Sequence, residues 1–385
     1  MAAVGLVLPR MTYHGLGTLE KLKEVPGKKA VIVTGGGSMT KFGIIKKAQD
    51  FLRESGIESS VFEGVEPDPS IETVMKGVEL MNQVQPDLIV GLGGCSAIDA
   101  AKAMWVFYEH PETTLKEIIP PFTIKPLRRK ARFVAVPSTS GTGTEVTCVS
   151  VITDRGKGVK HPLVSYELTP DIAIVDGEIC KSMPPHVTAH TGLDALAHDT
   201  EAYVSTLADH YTDPLAKQSI EMIFKFLPLA YREPDNLDAR QAVHDASCMA
   251  GIAFTNALLG IVHAMAHQLG GMFGIPHGCA NAILMPNVVR YNSTTTKKYE
   301  ELAMVLGKKT AEDYAAEIEK LRYSLNVQSN IKEYGISESD WNEKLEEITK
   351  NAMADTCVGA NPRTPVDADI RKIYECCYSG VKVDF

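Results

Sequence analysis

The segment Asp87-Leu-Ile-Val-Gly91-Leu-Gly-Gly-Cys-Ser96-Ala-Ile-Asp99-Ala-Ala-Lys102 passes from an apolar run through glycines into an alanine-rich stretch. That order reads as a buried strand, a tight turn and a helix. Glycine lets the backbone approach a ligand closely, and Ser96 is positioned to cap the helix. The free N–H groups and the helix dipole at such a turn suit a pyrophosphate, which makes Gly93, Gly94, Cys95 and Ser96 candidate contacts. The spacing is not GxGxxG, and no GxxxxGK[ST] loop occurs, so this is not an ordinary NTPase.

Working outward, the same rhythm repeats. Strands are expected at 29–34, 60–62, 87–91 and 132–137, and helices at 44–55, 70–83 and 96–108. Alternating strands and helices with apolar strands imply a mostly parallel sheet covered on both faces. Beyond Met183-Pro184-Pro185 the helical period takes over. Helices are expected at roughly 186–205, 213–230, 237–258, 261–272, 278–292, 296–306, 310–326, 338–353 and 366–377, with no strand. The expected architecture is an α/β dinucleotide-binding domain over 1–183 and an all-α, metal-binding domain over 184–385.

Composition narrows the function. The 385 residues are 44% hydrophobic, enough for sizeable cores, and Lys plus Arg (39) against Asp plus Glu (48) leaves a balance of −9. That argues against nucleic acid or an anionic membrane as partner. Eight cysteines without a CxxC pair read as reduced thiols, and with no targeting segment at the start a cytoplasmic protein is expected. Residues 246–289 hold no Asp, Glu, Lys or Arg, a length that could span a bilayer. They also hold His263, His267 and His277, so buried helices joined by a turn are the better reading.

Two further loops follow strands. Pro137-Ser138-Thr139-Ser-Gly-Thr142-Gly-Thr-Glu-Val-Thr147 gathers six hydroxyls at the edge of an α/β sheet where ligands bind. Thr34-Gly-Gly36-Gly37-Ser38-Met-Thr-Lys41 offers backbone amides, a hydroxyl and a lysine but no acid. NAD sites often set an acid against the ribose hydroxyls, whereas this set suits a 2′-phosphate. In the second half, Asp194 and His198 stand i, i+4, as do His263 and His267, and His277 follows Pro276. Nitrogen and oxygen donors in uncharged surroundings suit Fe²⁺, Zn²⁺ or Mn²⁺. Spacing does not say which of the three later histidines stands outside the set.

Taken together, Gly91 to Lys102, Ser138 to Thr147, Gly192-Leu-Asp-Ala-Leu-Ala-His198, Gly260-Ile-Val-His-Ala-Met-Ala-His-Gln-Leu-Gly270, Pro276-His-Gly and Asn361-Pro-Arg363 resemble, in order, the iron-containing (group III) alcohol dehydrogenases. The resemblance covers essentially the whole chain. It implies metal ligation by Asp194, His198, His263 and His277, with His267 beside the metal as the group for proton transfer. It places Gly93 to Ser96 on the pyrophosphate, Ser138, Thr139, Thr142 and Thr147 around the nucleotide, and Lys160 near the nicotinamide-side ribose. The implied reaction moves a hydride between NAD(P)H and a small primary alcohol or aldehyde, with Fe²⁺, or alternatively Zn²⁺, as Lewis acid.

Two departures bear on the cofactor. Cys95 stands where the family usually has glycine, which adds a side chain beside the diphosphate. NAD-preferring members carry an aspartate where this chain has Gly35, and the turn is similar to that of NADPH-using butanol dehydrogenases, so NADP(H) is expected over NAD(H). Lactaldehyde reductases of the family carry an asparagine at the place of Val149. Val149, with Phe254, Leu258 and Leu259 on one helix upstream of His263 as the opposite wall, predicts an apolar substrate pocket. A homo-oligomer, dimer or higher, is expected. The competing readings are a polyol or polyol-phosphate dehydrogenase of the same fold, which needs clustered Lys or Arg that 246–289 lacks, and a noncatalytic assembly protein, which has no use for the donor set.

Overall fold

Leu88–Gly93 is buried along its whole length, as a central strand covered on both faces must be. The computed structural model describes residues 5–157 and 159–385, and the chain divides into two compact units between Met183 and Pro184.

In the first unit the strands are β1 (Met11–His14), β2 (Lys29–Thr34), β3 (Glu58–Glu63), β4 (Leu88–Gly93), β5 (Arg132–Pro137), β6 (Val149–Asp154), β7 (Val159–Val164) and β8 (Ile172–Val175). Six form one parallel sheet in the order β1-β8-β5-β4-β2-β3. Its helices include α1 (Ser38–Lys41), α2 (Ile44–Glu54), α3 (Ile71–Val84), α4 (Cys95–Glu109) and α5 (Leu115–Ile118). From β2 the chain moves outward to β3, then returns through α3 to β4 on the other side of β2. The strand order therefore reverses between β2 and β4, and in sheets of this kind ligands bind outside the carboxyl ends of the strands at such a reversal. Gly35-Gly36-Gly37 and Gly93-Gly94 follow those two ends.

The α3 start follows the capping rule: Ser70 Oγ accepts the Thr73 N–H at 3.2 Å. By contrast α4 begins one residue before Ser96. Gly94 is its N-cap, and no side chain caps it. Ser96 is thus the second helical residue, which corrects its expected capping role. Gly93 has φ +147°, and a Cβ there would stand 3.0 Å from Ala97 Cβ, so only glycine fits the turn.

β1, β6, β7 and β8 lay outside the sequence expectation. β6 and β7 form an antiparallel ribbon of their own, in which Val151 faces Pro162. Proline has no N–H to give a ladder, so a two-stranded ribbon can hold it where a central strand cannot. β1 is short and half-exposed at the sheet edge.

The second unit is helical: α6 (Pro185–Val204), α7 (Thr212–Arg232), α8 (Leu237–Ala257), α9 (Ile261–Phe273), α10 (His277–Ser293), α11 (Lys298–Val305), α12 (Ala311–Ser324), α13 (Glu338–Ala354) and α14 (Asp367–Ser379). Among the described residues it holds no strand. From Gly192 to Val204, α6 is buried all round, as a central bundle helix is. Among the described residues no single helix is long and apolar enough to cross a membrane; α8 and α9 reach that length and composition only as a pair, bent by 108°. Leu258 and Leu259 lie in that bend rather than on α8, which corrects their expected place on one helix with Phe254.

Candidate active site

Three helices supply the donors. Asp194 and His198 lie one turn apart on α6, His263 is in the first turn of α9, and His277 opens α10 behind Pro276. A Cβ on Gly278 would stand 1.9 Å from the His190 carbonyl oxygen, so glycine is required for α10 to start this close to α6. The Nε2 atoms of His277, His263 and His198 then stand 3.4, 3.7 and 4.0 Å from Asp194 Oδ1. Ligands at 2.0–2.1 Å around a tetrahedral metal are separated by roughly 3.3–3.5 Å. The ligand atoms of Asp194, His263 and His277 all lie within 4.8 Å of one another, which suits a divalent ion, and His198 stands at the edge of that group. Asp194, His198 and His263 are buried, and His277 forms the exposed edge at 38%.

The electrostatics point the same way. Burial alone would raise the Asp194 carboxyl, but His198, His277 and His263 hold it well below the carboxylate range. Burial works downward on His263, yet the nearby carboxylates of Asp194 and Glu201 lift it to about 9. His277 is pushed down, by desolvation first, against the pull of Asp194. The cluster thus attracts positive charge. A divalent cation at the Nε2 atoms answers the same demand that a proton on His263 answers.

Of three residues that sequence reasoning did not single out, Glu201 and Asn281 support this set and Asp355 holds His267 beside it. Glu201 Oε2 lies 2.6 Å from His263 Nδ1, which fixes the ring and leaves Nε2 toward Asp194. Glu201 Oε1 accepts the Val262 N–H at 2.6 Å, so the same carboxylate caps α9. Asn281 Nδ2 donates to Asp194 Oδ1 at 2.7 Å and lies 3.2 Å from both His263 and His277 Nε2. Asp355 Oδ2 lies 2.8 Å from His267 Nδ1. The signals were helical spacings: Glu201 is seven residues after Asp194, and Asn281 four after His277.

His267 stands outside the cluster. It is 42% exposed, its ring is stacked on that of His277 with centroids 5.4 Å apart, and its Nδ1 is engaged by Asp355. Phe254 is stacked on His198 at 4.4 Å.

In the first unit, the β4–β5 register sets Gly93 opposite Pro137, and Ser138 N–H donates to the Gly93 carbonyl at 2.8 Å. Gly93, Gly94, Ser138 and Thr139 therefore share one sheet edge with the uncapped start of α4, a fit for a diphosphate. Cys95 and Ser96 occupy the first turn of α4. Thr142 Oγ1 accepts the Thr144 N–H at 3.4 Å. Thr147 is different: it is buried, with its hydroxyl 3.3 Å from Lys102 Nζ and 3.5 Å from the Thr144 carbonyl. Its oxygen braces the loop.

Two more findings adjust the cofactor residues. The β2 turn does have an acid beside it. Thr40 donates to Glu63 Oε1 at 2.7 Å, and a Cβ on Gly36 would stand 2.3 Å from that oxygen. Glu63 ends the neighbouring strand, so reading the turn alone missed it. Gly36 and Gly37 have φ +78° and +49°, Ser38 opens α1, and Lys41 is exposed at its end. Lys160, on β7, is paired with Asp68 at 2.7 Å. Val149 opens β6, half-buried, with its carbonyl accepting from Lys102 at 2.9 Å.

Comparison with known proteins agrees with the sequence resemblance. Residues 9–177 match the family model for iron-containing alcohol dehydrogenase, and 188–378 match the C-terminal model of the same family. The chain is 51% identical to an NADPH-dependent butanol dehydrogenase of Clostridium saccharobutylicum, over 98% of this chain and 99% of that one. It is 40% identical to the bifunctional aldehyde-alcohol dehydrogenase of Escherichia coli, spanning 46% of that longer protein. An iron-containing alcohol dehydrogenase of Thermococcus thioreducens is 35% identical with TM-score 0.91, covering 98% of this chain and 100% of that one. A 1,3-propanediol oxidoreductase is 34% identical with TM-score 0.92 over the same shares. The chain therefore belongs to the iron-containing alcohol dehydrogenase family, whose chemistry is metal-dependent alcohol dehydrogenation and aldehyde reduction.

Proposed function

We propose that this protein reversibly reduces a small unbranched aldehyde with NADPH, the first unit binding the dinucleotide and the second holding Fe²⁺, or alternatively Zn²⁺. The observation that carries the metal assignment is the convergence of His198, His263 and His277 Nε2 on Asp194 Oδ1 within 3.4–4.0 Å. A bound metal supplies a Lewis acid for the carbonyl oxygen, and a bound nicotinamide supplies the hydride. The chain's own residues do the rest. Glu201 and Asn281 hold the donors in place. His267, at the exposed edge beside His277, moves the proton between solvent and the substrate oxygen.

Support for NADPH is the turn Gly36-Gly37-Ser38 with Lys41, together with the butanol dehydrogenase relative named for that cofactor. Glu63 beside Gly36 counters it in part, because a carboxylate repels a 2′-phosphate. Gly35→Asp should weaken NADPH binding by adding charge there; its Cβ would meet the Val65 carbonyl at 3.1 Å, so NADH binding must be measured in parallel. The deciding experiment is metal analysis of anaerobically purified protein with NADH and NADPH turnover assays. One equivalent of iron and a preference for NADPH are expected. A metal-free active enzyme, or a clear preference for NADH, defeats the respective half. We further propose a homo-oligomer, which a sedimentation measurement checks.

A further inference from the structure

The motif Asn361-Pro362-Arg363 has no role in the reaction above, yet it closes a short segment with a purpose. Asn361 Nδ2 donates to Asn292 Oδ1 at 2.9 Å and to the Arg363 carbonyl at 2.6 Å. Its Oδ1 accepts from Asn292 Nδ2 at 3.0 Å and from the Ile261 N–H at 3.4 Å. Arg363 donates to the Tyr291 carbonyl at 2.9 Å. The end of the segment is thereby fastened to α10 and to the start of α9. At its beginning stands Asp355, between α13 and the turn Thr356–Ala360.

Asp355 divides its two oxygens. Oδ1 accepts the Cys357 N–H at 2.9 Å and caps the turn. Oδ2 is thereby left for His267 Nδ1 at 2.8 Å. The carboxylate is 16% exposed and the imidazole 42%, so the bond joins a largely covered acid to a ring that reaches solvent. Burial would raise Asp355, but the bond and charge of His267 together with the Cys357 bonds outweigh it and lower the group to about 2. An ionised carboxylate only accepts, so the proton of this bond sits on Nδ1.

We propose that Asp355 is the positioning residue for His267, holding its ring and its Nδ1–H tautomer so that Nε2 is the nitrogen that exchanges the proton of the reaction. The inference rests on the reading of His267 as the proton-transfer group. A ring that could rotate or change tautomer would present Nε2 in the wrong state for part of the time. Asp355 touches neither substrate nor cofactor in this account and acts through the imidazole alone.

Asp355→Asn is the incisive change. Asparagine caps a helical turn as well as aspartate, so the Cys357 bond survives. Toward His267 it offers an amide N–H, which selects the opposite tautomer. The expected result is kcat lower by roughly 10–100-fold. The KM for aldehyde, the dissociation constant for NADPH, the metal content and the unfolding temperature should be unchanged. His267→Ala should lose turnover to a similar or greater degree, and the double variant should be no slower than His267→Ala alone. Three results overturn the proposal: wild-type kcat in Asp355→Asn, losses that multiply in the double variant, or a loss of metal in Asp355→Asn, which would make His267, Asp355 and Cys357 a metal site instead. If His267→Ala itself turns over normally, the parent reading falls and this inference falls with it. If His267→Ala is slow and Asp355→Asn is not, only the inference falls.

Discussion

Each half of the molecule buries a cluster of charged groups, and the two clusters are built on opposite principles. In the α/β half, Lys102 Nζ has three protons and meets three carbonyls, of Thr144, Thr147 and Val149, at 2.8, 2.8 and 2.9 Å. One turn away, Asp99 accepts from the Thr144 hydroxyl and the Val151 N–H at 2.8 and 2.9 Å. Every strong donor has its acceptor, and the cluster staples the hydroxyl loop and β6 onto α4. In the helical half, a carboxylate and three imidazoles converge, and the side chain that donates to the carboxylate at hydrogen-bond length is the neutral amide of Asn281. A satisfied cluster is architecture; one that still attracts a cation is a site.

The largest expected effect tests the second cluster. His263→Ala and His277→Ala should each lose the metal and all but a trace of activity, beyond the roughly 100-fold that changes outside the ligand set cost. His267→Ala should keep its metal. Metal content after dialysis decides it: a metal-free His267→Ala beside a fully loaded His277→Ala reverses the assignment.

Next is the first cluster. Lys102→Met leaves three carbonyls unpaired and Asp99 without its counter-charge in a buried place, so stability should fall by about 3–5 kcal/mol. Metal content should not change, since the helical half keeps its donors. Denaturant unfolding measures the loss. If the variant is as stable as the parent, Lys102 is not the brace described here.

Both clusters were half legible in the sequence. Helical spacing found Asp194, His198, His263 and His267 because i, i+4 pairs share a face whatever the tertiary structure does. Glu201 lies on that same face but was passed over, since a glutamate in a helix is ordinarily a solvated residue. Only the packing of α9 against α6 shows it capping one helix and holding His263. The sheet was legible in its central strands, where burial on both faces writes continuous apolar runs. β1 is too short to write a pattern, and the β6–β7 ribbon carries a proline. Among the hydroxyls of 138–147, Thr147 also meets Lys102, and a sequence does not show which hydroxyls already have a partner within the chain.

A smaller effect sharpens the view of the helical cluster. Glu201→Gln keeps the shape of the side chain and its cap but removes the charge that faces His263 Nδ1. Metal affinity should fall by about 10–100-fold, with the ligand set intact. Competition against a chelator reads this directly, and an unchanged affinity would mean that Glu201 serves only as the cap of α9.

The smallest steps concern substrate polarity, where the closed cluster helps the experiment. Lys102 pins the Val149 carbonyl, so a substitution there changes a side chain on a fixed backbone. Phe254 is stacked on the His198 ring, which puts an apolar face directly against a candidate metal ligand. If these residues meet the substrate, each added methylene should contribute about 0.8 kcal/mol, or roughly fourfold in kcat/KM. A hydroxyl left without a partner should cost on the order of 1–3 kcal/mol. Across acetaldehyde, butanal, hexanal and lactaldehyde, kcat/KM should therefore rise toward butanal and be lowest for lactaldehyde. Val149→Asn should narrow the gap between butanal and lactaldehyde by supplying an amide for the second hydroxyl. Phe254→Ala should flatten the rise with chain length while leaving acetaldehyde less affected. Lactaldehyde as the best substrate of the unaltered enzyme would sink the apolar reading outright. A Val149→Asn variant with an unchanged ratio would remove Val149 from the substrate's surroundings and leave it as the end of a strand that Lys102 holds in place.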